Sequence, residues 1–264
     1  MSKSQDIIGG PEKTEDFSGC LSRTLLYGEG LFETILWRGR TKKLLRHYKR
    51  LKSSANFFKI PCPDFEEFVQ LIEKETGGKK DLYVKFCLIA SGDTRYDSLP
   101  ESYKTVVIKK PYKRLKAVKL TISPFRRNSR DPVIYHKTMN YLFNILVKRK
   151  AVIDGFDDAI ILNEKDEITE CSSSNLIIIK DDLFMTPDLQ CGLLMGTTLS
   201  LLMEKIDIKE VRIGIEELMD ADSLIITNSI SGAVPVTKIM DNDLSIPDDI
   251  VKELNRIIDE ENME

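Results

Sequence analysis

The side chain best suited to covalent chemistry is Lys137, in the stretch 135–141 (YHKTMNY). A lysine just ahead of an apolar-faced helix can sit in a desolvated pocket, where burial disfavours the ammonium and frees the amine for Schiff-base chemistry. The other reading is an exposed lysine, although a cation at a helix start opposes the dipole. In the stretch 47–51 (HYKRL) Arg50 lies one helical turn from His47, and its planar fork suits phosphate as well as it suits water. Glu170, followed by Cys171, three serines and Asn175, is either a salt-bridged surface acid or an inward partner for a protonated ring nitrogen. Gly196-Thr197-Thr198 at a helix start offers backbone N–H groups and hydroxyls of the kind that hold phosphate, and Thr227-Asn228-Ser229 at a strand end can do the same. Two glycines around Glu29 allow an unusual backbone path, or a plain turn, into the strand carrying Phe32. One ligand with a phosphate, an aldehyde and a ring nitrogen would use all of these groups, and pyridoxal phosphate has all three.

These residues must be positioned by an alternating set of elements. Residues 31–37 are apolar and β-rich, 38–40 make a turn, and 42–45 return as a second strand. Helices are expected at 46–56 and 64–76, the second closed by Gly77-Gly78. Strands follow at 81–90, 104–109 and 117–125, then a helix at 139–154 with Leu142, Phe143, Leu146 and Val147 on its core face. Short β-branched runs at 159–162, 176–179 and 224–227 read as buried strands. Shorter helices are expected from Gly196 to about Ile206 and over 247–258. The charged, proline-containing stretch 109–116 (KKPYKRLK) divides an N-terminal α+β domain, 1–108, from a C-terminal α/β domain, 117–264, with a cleft between them as the natural small-molecule site.

Composition narrows the classes. Of 264 residues, 39 are Lys or Arg and 42 Asp or Glu, so the net charge of -3 gives no global basic excess for nucleic acid or an anionic membrane. The apolar runs are far short of the roughly 20 residues that span a bilayer. Residues 1–11 lack the apolar segment of a signal peptide, and a cytoplasmic location is expected. The cysteines, Cys20, Cys62, Cys87, Cys171 and Cys191, are irregularly spaced and have only His47 and His136 beside them, so neither a zinc site nor a disulfide framework is expected. They read as small buried side chains.

The ordered motifs resemble those of the class IV aminotransferases, the fold-type IV pyridoxal-phosphate enzymes that include branched-chain and D-amino-acid aminotransferases and aminodeoxychorismate lyase. The resemblance is carried by residues 27–34 (YGEGLFET), 47–55 (HYKRLKSSA), 137–144 (KTMNYLFN), 158–176, 186–198 and 227–236. It implies a two-domain α+β fold with the active site in the interdomain cleft, and a homodimer in which a loop of each chain completes its neighbour's site. It implies Lys137 as Schiff-base lysine and general base, Glu170 as partner of the pyridine nitrogen, and Arg50, Thr198, Ser229 and the Thr197 backbone as the phosphate cup. Tyr141 then bonds the phenolic oxygen of the cofactor, and Phe32 walls the substrate pocket. Leu199 stands where family members usually carry an arginine, while the hydroxyl of Thr198 is kept.

The resemblance leaves two reactions: an aminotransferase acting on an amino acid (branched-chain-like or D-) and a 2-oxo acid, or the lyase that releases pyruvate and 4-aminobenzoate from aminodeoxychorismate. Tyr141 after Asn140 resembles the branched-chain branch. Residues 92–96 (GDTRY) resemble a carboxylate-binding loop of lyase-like and D-amino-acid members, making Arg95 a substrate candidate or a plain loop arginine. Lys85 falls where branched-chain members have an arginine. The aminotransferase is the expectation. A cofactor-free protein that merely kept the fold is disfavoured by Lys137, Glu170 and Arg50 occurring together.

Overall fold

The computed structural model describes residues 22–262. Cys20 and the polar stretch 1–11 lie outside the described residues. In chain order the elements are α1 (Arg23–Tyr27), β1 (Gly30–Trp37), α2 (Lys42–Phe57), α3 (Phe65–Thr76), β2 (Leu82–Ser91), β3 (Ser102–Pro111), β4 (Val118–Arg127), α4 (Leu142–Ile153), β5 (Asp158–Asn163) and β6 (Ile168–Cys171). They continue with β7 (Asn175–Lys180), β8 (Leu183–Pro187), α5 (Thr197–Lys205), β9 (Ile208–Val211), α6 (Ile215–Met219), β10 (Ser223–Asn228), β11 (Gly232–Ile239), β12 (Asn242–Asp243) and α7 (Asp248–Glu260). Strands β1, β2 and β3 form an antiparallel sheet, and a larger mixed sheet runs β6-β5-β4-β11-β10-β7-β8-β9, with β12 beside β11. This is an α+β chain of two sheets, as expected.

Each sheet has its own core. On the small sheet, alternate residues of β1 (Leu31, Ile35, Trp37) pack with Leu44 and Leu51 of α2 and with Phe68 and Ile72 of α3. Asp64 caps α3 by accepting from the Glu67 N–H at 2.8 Å, and Gly77 closes it in the left-handed conformation. On the large sheet β7 buries both faces, Leu176 and Ile178 toward one cluster and Ile177 and Ile179 toward α5 and α7. That is why its sequence is a continuous β-branched run.

Residues 42–45 are not a returning strand. They form the first turn of α2, because Thr41 caps it, its hydroxyl accepting from the Leu44 N–H at 3.3 Å. Helix α4 begins at Leu142, so residues 137–141 precede it in non-helical backbone. Its expected core face is also rotated: Leu142 is 62% exposed and Leu146 is exposed, while Val147 and Ala151 are the buried pair. With apolar residues nearly all round, the spacing did not single out one face. The stretch 109–116 begins within β3, which continues through Pro111. Cys87, Cys171 and Cys191 are buried and Cys62 half-buried, and all four are free thiols. Among the described residues no helix is long and apolar enough to cross a membrane.

Candidate active site between the two sheets

Lys137 lies between β4 and α4 in sequence, yet its backbone is stitched to the small sheet. The Phe32 N–H donates to the Lys137 carbonyl at 2.9 Å, the Met139 N–H donates to the Gly30 carbonyl at 2.8 Å, and Leu31 bridges Thr138. The turn before β1 makes this seam possible. Gly28 caps α1 with φ of 70°, a left-handed conformation that glycine adopts without a Cβ clash. The Lys137 amine sits 4.6 Å from the Phe32 ring centroid and 5.6 Å from that of Tyr141. Burial, and then the nearby Arg50 charge, bring it down to about 8 against the pull of Glu33 and Glu170. The residue itself is half-buried because it borders a cavity.

That cavity is lined by Arg50, Lys137, Tyr141, Glu170, the serines 172–174, Asn175, Leu194, residues 196–198 and Thr227, Asn228 and Ser229. Arg50 does not point freely into it. Its Nε and Nη2 donate to the two oxygens of Glu33 at 2.8 and 2.6 Å, and its Nη1 donates to the Met195 carbonyl at 3.2 Å. Glu33 also accepts from His47 Nδ1 at 2.7 Å. With Nδ1 carrying the proton, Nε2 is left to accept from the Thr197 hydroxyl, 3.5 Å away. Burial alone would raise the Glu33 carboxyl, but the Arg50 charge and hydrogen bonds, and then His47, hold it at about 2.

Glu33→Gln is expected to cost about 3 kcal/mol of stability at pH 7, since it strips the charge from a buried clamp. The depressed carboxyl contributes fully above its ordinary value of 4.5 and loses its effect as pH falls through about 2. Urea unfolding at pH 7 checks this, and an unchanged midpoint would contradict the clamp.

At the other end of the cavity, Glu170 is buried against Arg127, whose Nη1 donates to Oε1. Its Oε2 accepts from the Leu194 N–H and from Asn175 Nδ2, both at 3.3 Å. Burial pushes the Glu170 carboxyl up, and Arg127 opposes it. The Tyr141 hydroxyl donates to the Ser172 carbonyl at 3.1 Å, and burial pushes its pKa far up. The loop to α5 passes close over Asn175: a Cβ on Gly196 would meet Asn175 Oδ1, so a larger residue there would have to displace that amide from Glu170 and the Leu194 carbonyl.

The buried hydroxyls of Thr198 and Thr227 line the cavity and meet no hydrogen-bond partner among the described residues. Leaving a buried hydroxyl unsatisfied costs about 1–3 kcal/mol, a cost that an anion with several acceptor oxygens removes. With Arg50 beside them and the first turn of α5 opening at Thr197, the set has the chemistry of a phosphate cup. The Ser229 hydroxyl is turned to the Thr34 carbonyl at 2.6 Å. Among the described residues no cluster of His, Cys, Asp and Glu side chains could hold a metal ion.

Of the expected site residues, Arg50, Lys137, Tyr141, Glu170, Thr197, Thr198 and Ser229 meet at this cavity. Phe32 lies just behind Lys137, edge-on to Tyr141 at 5.2 Å between ring centroids, and the Lys85 amine sits 4.2 Å from its centroid. Arg95 is elsewhere, with 73% of its side chain exposed and paired to Asp93 at 2.8 Å. Sequence reasoning missed Glu33 and Arg127. Glu33 carried a signal, a lone acid among Leu31, Ile35 and Trp37 on the core face of a strand.

The chain matches the model of the family described as amino-transferase class IV over residues 30–239. It is 27% identical over 230 residues to the aminodeoxychorismate lyase of Bacillus subtilis, covering 81% of this chain and 78% of that protein. A crystal structure of the branched-chain aminotransferase of Thermoproteus uzoniensis with norvaline superimposes with a TM-score of 0.82 at 25% identity, covering 90% of this chain and 88% of the other. The branched-chain amino acid aminotransferase of Escherichia coli shares the fold, with a TM-score of 0.76 at 20% identity over 89% of this chain and 85% of that one. By its motifs, its two sheets and its match over most of its length, the chain belongs to the class IV aminotransferase family.

Proposed function

We propose that this chain is a pyridoxal-phosphate-dependent aminotransferase that moves an amino group between an amino acid and a 2-oxo acid. One observation carries the reading: a single cavity holds an amine of lowered pKa between a group of phosphate-suited donors and a buried carboxylate. The cofactor, when bound, would supply an aldehyde for condensation with amines and a ring that takes up electron density from the substrate Cα. Arg50, Thr198, Thr227 and the start of α5 would hold its phosphate. Glu170 would hold a proton on the ring nitrogen, and Tyr141, kept protonated by burial, would donate to the phenolic oxygen. Lys137 Nζ would take the proton from the substrate Cα and return it later, a task suited to a base whose pKa is near working pH.

The proposed substrate wall is Phe32, with Lys85 as the cation for a substrate carboxylate, since its amine stands over the same ring that Lys137 approaches. The proposed substrates are branched-chain-like or D-amino acids. A panel of amino acids with 2-oxoglutarate, run beside aminodeoxychorismate, tests the reaction. Glutamate formed with at least one donor is the expected result. If 4-aminobenzoate appears from aminodeoxychorismate and no donor yields glutamate, the enzyme is the lyase instead.

The reading extends to a homodimer in which the exposed loop carrying Arg95 completes the cavity of the second copy. Exposed apolar side chains on α4 (Leu142, Ile145, Leu146) and Tyr96 beside Arg95 support it. Sedimentation equilibrium is expected to give twice the chain mass, and a one-chain mass at micromolar concentrations would count against the pairing.

A further inference from the structure

Helix α2 turns three nitrogen-bearing side chains toward the walls of the cavity: Lys43, His47 and Arg50, spaced by four and three residues and therefore on one face. Arg50 and His47 reach Glu33 and the Met195–Thr197 wall. Lys43 reaches the lining at Ser229, its Nζ 3.4 Å from the Ser229 carbonyl. It is only 3% exposed, and lysine is almost never so buried without a dedicated partner. It also stands second in its helix, where the dipole disfavours a cation.

Among the described residues no acid is committed to Lys43 alone. Asp259 of α7 attracts it, but Asp259 is already paired to Arg38 at 3.1 Å and to Arg114 at 3.8 Å, and those two guanidiniums repel the buried amine. His47, one turn on, is held largely neutral by burial. Burial brings the Lys43 amine down to about 8, and a nearby anion would restore it. The wall it touches is fixed from several sides. The Ser229 hydroxyl donates to Thr34, Asn228 Oδ1 accepts from the Ile230 and Ser231 N–H groups, and Arg114 Nε donates to the Ser231 carbonyl. That turn continues directly from Thr227, whose buried hydroxyl lacks a partner.

We propose that Lys43 is a positioning residue for the phosphate of the cavity's ligand, bracing the 227–229 wall through the Ser229 carbonyl and placing a second buried positive charge behind the cup. The inference rests on the phosphate reading of the cup. It differs from that reading in assigning charge to a group that never touches the ligand.

Pyridoxine 5'-phosphate, which lacks the aldehyde and so leaves Lys137 out of the measurement, is titrated calorimetrically into the full chain at low ionic strength. Lys43→Met and Lys43→Gln are expected to weaken binding about tenfold, and Lys43→Arg to stay within about threefold of wild type, because the field of a buried charge reaches the phosphate without contact. Pyridoxine itself should bind all four proteins alike. Lys43→Gln keeps a donor for the Ser229 carbonyl and no charge, so it reports on the charge even if the methionine variant fails to fold. Equal affinity of wild type and Lys43→Gln, or a loss that extends to pyridoxine, overturns the inference alone. Failure of the wild type to bind pyridoxine 5'-phosphate overturns it together with the cofactor reading.

Discussion

Lys137→Ala is expected to lower turnover by about 10⁵-fold or more, since one substitution removes both the amine that captures the cofactor and the base that moves the substrate proton. The structure keeps these losses separate from unfolding. Residues 137–139 are held to β1 by backbone hydrogen bonds, which alanine retains. The phosphate-suited donors are also untouched, so the variant should still bind the cofactor, only without a covalent link. Borohydride reduction followed by peptide mass spectrometry reads that link directly. Wild-type protein should carry the reduced cofactor on the peptide containing residue 137, and the alanine variant on none. Wild-type turnover in Lys137→Ala, or covalent capture at another lysine, would end the assignment. A small primary amine added to the variant should recover part of the rate by supplying the missing base.

Glu170→Gln is expected to slow the proton-transfer step about 10²- to 10⁴-fold while leaving the cofactor bound. The amide keeps the shape and one acceptor for the Leu194 N–H and Asn175, but gives up the charge that would hold a proton on the ring nitrogen. The same charge raises the Lys137 amine, so its removal should move the group's titration to lower pH and the rate profile with it. Single-turnover kinetics across pH separates the two effects. A wild-type rate with an unshifted profile would remove Glu170 from the mechanism.

Much of this site was legible because its residues sit where local rules and chemistry agree. Arg50 and His47 share a helix face, Gly196 opens α5, and Gly28 stands just before the strand that Gly30 begins. What the sequence hid was set by tertiary contacts. The pairing of β4 with β5 shifts register between Ile122 and Arg126, so strand alternation could not say which of Arg126 and Arg127 turns inward. Arg126 pairs with the exposed Asp166, and Arg127 with Glu170. The clamp on Glu33 needs a strand and a helix to meet. The first turn of α2 looked like a strand because its capping threonine follows an ordinary turn sequence. On α4, an apolar majority spread round the helix left the buried side to be chosen by β5 rather than by spacing.

The seam between residues 137–139 and β1 has a mechanical consequence. The lysine backbone is anchored to the three-stranded sheet, whereas Glu170 lies in β6 of the large one. Any shift of one sheet against the other therefore changes the span from the Lys137 backbone to the acid, while the hydrogen bonds to β1 keep that backbone beside Phe32. The span between base and acid is thus bridged by no single element, and the packing of one sheet on the other fixes the alignment of the reacting ends.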